Sequence, residues 1–190
     1  MKKQSTFLYV LRLTVTLLVI TAVVAGALAC INSITKDRIA AINAQKTQNA
    51  LTAVLPDAET AVLLRDVPDD TGLVTTVYAS DTGYAMQVEP SGFGGTITMM
   101  VGVDKQGNVL GVSVISHTET AGLGAVAGDK TSKGEAFRTQ YVGQSGELAV
   151  SKDGGTIDAI SGATITSRAV TEGVNAALKC AVTLSGVEEG

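Results

Sequence analysis

The sequence predicts an α+β domain that follows a single N-terminal transmembrane helix. Two observations carry this prediction. The stretch from Leu13 to Thr35 contains no charged residue, and after Gly72 hydrophobic residues begin to alternate with polar ones, as they do in half-buried strands. Short turns separate the alternating segments and helical patterns follow them, which favours an antiparallel sheet with flanking helices. A chain of 190 residues is long enough for one such domain.

The composition excludes several classes of protein. Hydrophobic residues make up 45% of the chain and charged residues 17%, the opposite of the balance in a disordered chain. The net charge is -4 and Lys and Arg form no run beyond the first few residues, so we expect no nucleic-acid partner. Cys30, Cys180 and the one histidine, His117, cannot build a zinc or iron–sulfur site. We therefore expect no metal, and an organic cofactor for any redox chemistry.

The uncharged segment is long enough to cross a membrane. Its 23 residues reach roughly 34 Å as a helix, against a hydrocarbon core of about 30 Å. The flanking charges favour a cytoplasmic N-terminus slightly; they are Lys2, Lys3 and Arg12 before the segment, and Lys36, Asp37, Arg38 and Lys46 after it. We assign residues 1–35 to the cytoplasmic N-terminus and the transmembrane helix.

Two other interpretations of this segment stay open. A cleaved signal peptide has a shorter apolar core, of about 7–15 residues. Cleavage and lipidation at Cys30 would suit the preceding small residues, but Ala27 stands where a lipoprotein signal usually has Leu. An uncleaved anchor is the favoured interpretation.

The rest of the chain divides into a connecting helix and a folded domain. Residues 36–56 are rich in Ala and lack Gly, and Pro56 ends the helical pattern, so residues 57–190 form the predicted domain. A turn is expected over residues 68–72. The predicted strands are Thr75–Ala79, Tyr84–Val88, Thr96–Val103 and Val109–Ser116. The predicted helices are residues 133–142 and a last helix from about Ser167, whose apolar stripe is Val170, Val174, Leu178 and Ala181.

The segment from Asp158 to Arg168 is the first candidate site. It combines a strand end, a Ser-Gly-Ala-Thr turn and the start of an amphipathic helix, where free backbone N–H groups favour an anion. Gly162 lets the backbone approach a ligand closely. A phosphate site and a helix capped by a serine or threonine both explain this pattern. The clustered hydroxyls are those of Ser161, Thr164, Thr166 and Ser167.

The pattern Asp158-x-x-Ser161-Gly162-Ala163-Thr164 resembles the motif that a flavin transferase modifies, in which the last threonine is esterified to the phosphate of FMN. It is typical of the FMN-binding subunit that Rnf complexes share with the Na⁺-translocating NADH:quinone reductase, and of related extracytoplasmic flavoproteins. The resemblance implies that Thr164 carries the flavin and that the transferase reads Asp158 and Ser161. The other residues predicted to contact FMN here are Gly162, Ala163 and Thr166.

A second segment, from His117 to Gly124, is similar to the family's His-x-Glu-Thr-Pro-Gly-Leu-Gly sequence, with Ala121 in place of Pro. It follows a predicted strand and forms a glycine-containing loop, where backbone amides can approach a flat ring. The resemblance adds Glu119 and Thr120 as flavin hydrogen-bonding residues, and the residues His117, Gly122, Leu123 and Gly124 as further contacts. A solvated loop histidine is the alternative for His117. Phe137, Gln140 and Tyr141 are also similar to the family's short helix, and core packing is the alternative for Phe137.

The resemblance covers nearly the whole chain, whose length fits the G subunit of Rnf complexes. It implies a covalent-FMN electron-transfer subunit of a ferredoxin:NAD⁺ oxidoreductase that moves Na⁺ or H⁺, rather than a complete enzyme. Its implied partners are the other membrane and redox subunits and the transferase, with the FMN domain on the extracytoplasmic side of the cell membrane. The alternatives are the equivalent subunit of the quinone reductase, a free membrane-anchored flavoprotein and a non-redox binding module.

Overall fold

The structure is a computed structural model that describes residues 6–65, 67 and 69–188. The chain forms two compact units, the first ending at Gln45 and the second beginning at Lys46. Each unit is described by itself.

Helix α1 spans Thr6–Val54 and supplies the whole of the first unit that the structure describes. Its most apolar window of 18 residues has a mean hydropathy of 2.5 and none of that window is buried, so by length and composition α1 can cross a membrane. Threonine hydroxyls within the apolar stretch donate to carbonyls one turn back, from Thr14 to Val10 at 3.0 Å and from Thr16 to Arg12 at 2.8 Å. These polar groups are therefore satisfied without water.

The second unit contains a five-stranded antiparallel sheet whose strands pair in sequence order. The strands are β1 Val62–Leu64, β2 Val74–Ala79, β3 Gly83–Val88, β4 Thr98–Asp104 and β5 Val109–Ser116. The prediction of an antiparallel meander is confirmed, and the sequence missed only β1, which has three residues and pairs with the edge of β2. Pro68 of the predicted turn lies outside the described residues, as do Lys2 and Lys3. Asp69 closes this turn by accepting from the backbone N–H groups of Thr71 and Val74 at 2.9 and 2.8 Å.

Helices α2 (Ser132–Thr139) and α3 (Thr164–Glu188) follow the sheet. Helix α3 packs its apolar stripe on one face of β3 and β4, and every predicted member of that stripe is buried. A Cβ on Gly173 would lie 2.5 Å from Cε of Met99, so a side chain there would have to displace the end of Met99 where the helix meets the sheet. Tyr141 lies just beyond α2, yet its ring still meets Phe137 edge-on at 5.6 Å, and both are buried. Phe137 therefore belongs to the core.

The opposite face of the sheet is covered by the last turns of α1. Leu51 and Val54 pack with Ala85 and Met100 in a second, smaller core. A Cβ on Gly102 of β4 would lie 2.2 Å from the carbonyl oxygen of Val54, so the backbones of helix and strand are in direct contact. The division of the chain at residues 35 and 56 stays a prediction, but the end of the predicted connecting helix is part of the core of the second unit.

Candidate functional site

The Ser-Gly-Ala-Thr turn leads directly into α3. The helix begins at Thr164, three residues earlier than Ser167, where the sequence predicts its start. The backbone N–H of Ser167 donates to the carbonyl of Ala163 at 3.0 Å, which makes Ala163 the N-cap. Alanine has no side-chain acceptor, so the hydroxyl cap that the sequence allowed does not occupy this position. The turn itself requires Gly162, whose φ is +76°.

The four clustered hydroxyls have different surroundings. Ser167 is fully buried, accepts from the N–H of Ile160 at 2.9 Å and donates to Ala163. Thr166 is also buried and donates a short hydrogen bond to the Glu119 carboxylate. Ser161 is exposed and Thr164 is half-buried. Two hydroxyls therefore stabilise the start of α3, whereas those of Ser161 and Thr164 stay at the surface.

Thr164 is contacted by a basic side chain from another loop. Lys152, in a 3₁₀ turn formed by Ser151–Asp153, donates from Nζ to Oγ1 of Thr164 at 2.9 Å. Its neighbour Asp153 forms a two-pronged ion pair with Arg168, with both nitrogen–oxygen distances at 2.6 Å. The hydrogen bond from Arg168 holds the pKa of the Asp153 carboxyl below its usual value.

Glu119 joins the three segments that surround the site. The side chain is only 8% exposed, and while Oε2 accepts from Thr166, Oε1 accepts from the backbone N–H of Gly94 at 2.8 Å. A Cβ on Gly92 or Gly124 would lie 2.4 or 2.5 Å from one of these oxygens. The carboxylate therefore holds together the loop 91–95, the loop 117–124 and α3. Both oxygens have protein donors, and direct contact of Glu119 with a flavin stays a prediction.

His117 is the first residue of the loop 117–124. Its Nδ1 accepts from the backbone N–H of Glu119 at 3.3 Å, and a Cβ on Gly128 would lie 2.9 Å from the imidazole ring. His117 lines neither of the two cavities described next, so its side chain does not reach their surface. Next to it, Thr118 donates to the carbonyl of Gly94 at 2.9 Å and adds a second link to the loop 91–95.

Two cavities flank the turn that precedes Thr164. The first has a volume of about 370 Å³ and contains most of the predicted residues. Its lining is Phe93, Glu119, Thr120, Leu123, Gly124, Gly162, Ala163, Thr164, Ile165 and Thr166. The second has a volume of about 530 Å³ and contains the remaining predicted residues except His117, namely Gly122, Asp158 and Ser161. Both volumes lie in the range of small-molecule sites, about 300–1,000 Å³.

Gln140 fixes the backbone beside the second cavity. Its Oε1 accepts from the N–H of Asp158 at 2.7 Å, and its Nε2 donates to the carbonyl of the same residue at 3.3 Å. The Asp158 side chain is exposed. Both Asp158 and Ser161 are thus accessible to another protein.

Sequence reasoning missed the residues that are brought to Thr164 from elsewhere in the chain. Phe93 and Ile165, which are 69% and 50% exposed, line the first cavity together with Leu123. An aromatic residue in the glycine-rich loop 91–95 was the one available signal, and it is a weak one, because a single exposed hydrophobic residue does not by itself indicate a site. No local pattern indicates Lys152.

These residues fit FMN. The exposed apolar side chains of Phe93, Leu123 and Ile165 suit a flat ring system. The loops that carry Phe93 and Leu123 lie against the Glu119 carboxylate so closely that only glycine fits at positions 92 and 124. Beside them, the Thr164 hydroxyl and the Lys152 ammonium suit a phosphate.

Comparison with known proteins identifies the domain. Residues 92–179, which include both cavities, match the family described as the FMN-binding domain. The fold and the site are therefore those of a protein with an FMN-binding domain.

Relatives that align over a larger part of the chain define the family more closely. The chain is 38% identical over 152 residues to the G subunit of the ion-translocating oxidoreductase complex of Haemophilus influenzae, covering 72% of this chain and 73% of that protein. It is 34% identical to the G subunit of the Na⁺-translocating ferredoxin:NAD⁺ oxidoreductase complex of Acetobacterium woodii, over 97% of both chains. The proton-translocating counterpart in Clostridium ljungdahlii is 39% identical over 57% of this chain and 61% of its own. The chain belongs to the family of G subunits of Rnf-type ion-translocating oxidoreductase complexes, and the resemblance found in the sequence is confirmed.

Proposed function

We propose that this chain is an electron-transfer subunit of a membrane-bound Rnf-type ferredoxin:NAD⁺ oxidoreductase complex, and that it carries FMN covalently on Thr164. The complex couples electron transfer to the transport of Na⁺ or H⁺. Two relatives in the family are named for these two ions. The membrane and redox subunits of the complex are the proposed partners. NAD⁺ and ferredoxin bind elsewhere in the complex.

The observation that carries this proposal is the position of the Thr164 hydroxyl. It lies on the lining of the first cavity, at the first residue of α3 and outside the hydrogen bonds that bury Thr166 and Ser167. A threonine at this position can be esterified without breaking the contacts that hold the loops together. Substitution of Thr166 would instead remove the donor to Glu119.

Attachment requires an activated flavin nucleotide and a separate transferase, because a threonine hydroxyl is a poor nucleophile at neutral pH. A bond forms between Oγ1 of Thr164 and the phosphorus of the FMN moiety, and the bond from phosphorus to the donor's leaving group breaks. The hydroxyl proton is released, and the flavin is neither oxidised nor reduced. The net addition to the chain is FMN less one water.

When bound, FMN supplies the capacity to accept and pass on electrons, and the protein supplies its position and surroundings. In this proposal Leu123, Phe93 and Ile165 exclude water from the ring, and Glu119 keeps the two loops in place around it. Thr120 and the backbone of Gly122 and Gly124 offer the remaining contacts. The chain itself needs no acid, base or nucleophile toward a substrate.

The FMN domain is placed on the extracytoplasmic side, with α1 as its uncleaved anchor and the N-terminus in the cytoplasm. Two points support this placement. Lys and Arg number three on each side of the apolar segment, and Asp37 leaves the N-terminal side slightly more positive in net charge. A covalent tether is also most useful outside the cytoplasm, where a lost cofactor cannot readily be replaced.

The test is the intact mass of the full chain produced in a host that supplies the transferase. We expect the wild-type chain to gain the mass of FMN less one water and Thr164→Val to lack this gain. Thr183→Val is the matched control, because Thr183 is an exposed threonine on the same helix, remote from both cavities. An unmodified wild-type chain, in cells where a known acceptor is modified, would refute covalent attachment.

A further inference from the structure

The contact between Lys152 and Thr164 is a surface contact that contributes little to the stability of the domain. Both groups are at the surface, and the hydrogen bond of 2.9 Å joins a charged donor to an alcohol that is not part of the buried network. A solvated lysine gains little from such a contact. The same ammonium would gain much more from an anion bound at the hydroxyl oxygen.

The loop that carries Lys152 is held firmly at its base. Val150 and Ile157 are each 1% exposed and pair as an isolated parallel bridge. The N–H of Ser151 donates to Ile157 at 2.7 Å, and a Cβ on Gly155 would lie 1.9 Å from the carbonyl oxygen of Ala149. These contacts leave the backbone at the tip of the loop little freedom and keep Lys152 beside the start of α3.

Lys152 is the basic residue whose charge is available beside Thr164, because the nearby Arg168 is paired with Asp153. Arg168 lies one turn further along α3, but its guanidinium is engaged by both oxygens of Asp153. Among the residues that the structure describes, no carboxylate lies within ion-pair distance of the Lys152 ammonium. Asp153 thus ties the loop to α3 through Arg168 and leaves the charge of Lys152 uncompensated.

We infer that Lys152 is a positioning residue for the phosphate of the tether. Its ammonium donates to Oγ1 of Thr164 before attachment and to a non-bridging oxygen of the phosphodiester afterwards, where it balances the single negative charge. This inference rests on the covalent attachment under the proposed function. It adds that a cation from the loop 149–157 fixes the phosphate end of FMN, while the apolar residues of the cavity surround its ring.

The first experiment follows attachment over time by intact mass, with the full-length chain, the transferase and its flavin donor. We expect Lys152→Met to lower the initial rate about tenfold, the size of one charge-assisted hydrogen bond, and Lys152→Arg to keep it within about threefold of wild type. Lys105→Met is the matched control, because Lys105 is an exposed lysine in the turn between β4 and β5, and it should behave as wild type.

The second experiment does not depend on rate. We expect the ³¹P resonance of the phosphodiester in loaded Lys152→Met to move toward its position in the urea-unfolded loaded chain, and that of Lys152→Arg to stay near wild type. Wild-type rate and ³¹P shift in Lys152→Met would overturn the inference, as would an equal loss in Met and Arg variants. If the wild-type chain takes up no flavin while a known acceptor is modified in the same reaction, the proposed function itself fails.

Discussion

The Glu119 carboxylate gives the sharpest test of how the site is held together. In the full chain, Glu119→Gln keeps the size of the side chain but replaces one acceptor oxygen by an amide donor. The carboxylate accepts from the N–H of Gly94 and the hydroxyl of Thr166, and it is 8% exposed. A hydrogen bond to a charged group contributes about 1.5–3 kcal/mol and a neutral one about 1 kcal/mol. The glutamine oxygen can accept from Gly94 and its amide can donate to the Thr166 hydroxyl, which then acts as the acceptor. Both bonds therefore change from charged to neutral, and we expect a cost of about 1–4 kcal/mol.

The assay is thermal unfolding of the purified chain in detergent, followed by circular dichroism. With about 2–4 °C per kcal/mol for a domain of this size, the midpoint should fall by at least about 2 °C. Hydrogen exchange should also accelerate at residues 91–95, because the Gly94 amide loses its charged acceptor. Glu59→Gln, at an exposed glutamate, is the matched control and should change the free energy of unfolding by no more than about 0.5 kcal/mol.

A double-mutant cycle separates the two partners of Glu119. Thr166→Val alone leaves Oε2 without its donor, and the cost of combining it with Glu119→Gln should be less than additive by about 1 kcal/mol or more. The reasoning is refuted if Glu119→Gln melts within about 1 °C of wild type with unchanged exchange at residues 91–95. Strict additivity would refute the direct link between Glu119 and Thr166.

The remaining predictions concern the two cores of the second unit. Gly102→Ala places a Cβ 2.2 Å from the carbonyl oxygen of Val54, so we expect a loss of about 1–3 kcal/mol in chemical unfolding. Gly186→Ala, in α3 with open space around it, should cost nothing and can stabilise the chain by up to about 1 kcal/mol. Burial, with a smaller contribution from Asp69, raises the pKa of the Cys180 thiol to about 11, from about 9 when unfolded. In a Cys30→Ser background, Cys180 should react with iodoacetamide at pH 8 at least about tenfold more slowly in the folded chain than in urea, because little thiolate forms and access is blocked. Because the neutral thiol is the form that the fold favours, its contribution to stability should be complete below pH 9 and decline as the pH rises toward 11. Equal alkylation rates in the folded and unfolded chain would contradict the burial of Cys180.

Much of the fold follows from patterns within short windows of sequence. The apolar length of α1, the alternation in β2 to β5 and the stripe on α3 are each encoded by neighbouring residues, so the predictions hold to within a few residues. The sequence did not predict strand β1, because three residues are too few to show a period, and the strand forms by pairing with β2. The predicted start of α3 is three residues late. Serine is a common N-cap residue, but the hydroxyl of Ser167 is buried, where it accepts from the N–H of Ile160 and donates to the carbonyl of Ala163.

The sequence by itself determined the class of the protein, the helix apolar enough to span a membrane and the residue proposed to carry the flavin. Each of these is encoded in contiguous residues: an uncharged span, and the motif that ends at Thr164. Only the tertiary structure decided what surrounds that threonine. Phe93, Glu119 and Lys152 are separated from it by 12 to 71 positions and are brought to it by strand pairing, by a glycine loop folded around a buried carboxylate and by the ion pair of Asp153 with Arg168. The physical reason is that local propensity and periodicity act over a few residues, whereas the meeting of distant loops depends on how the whole core packs.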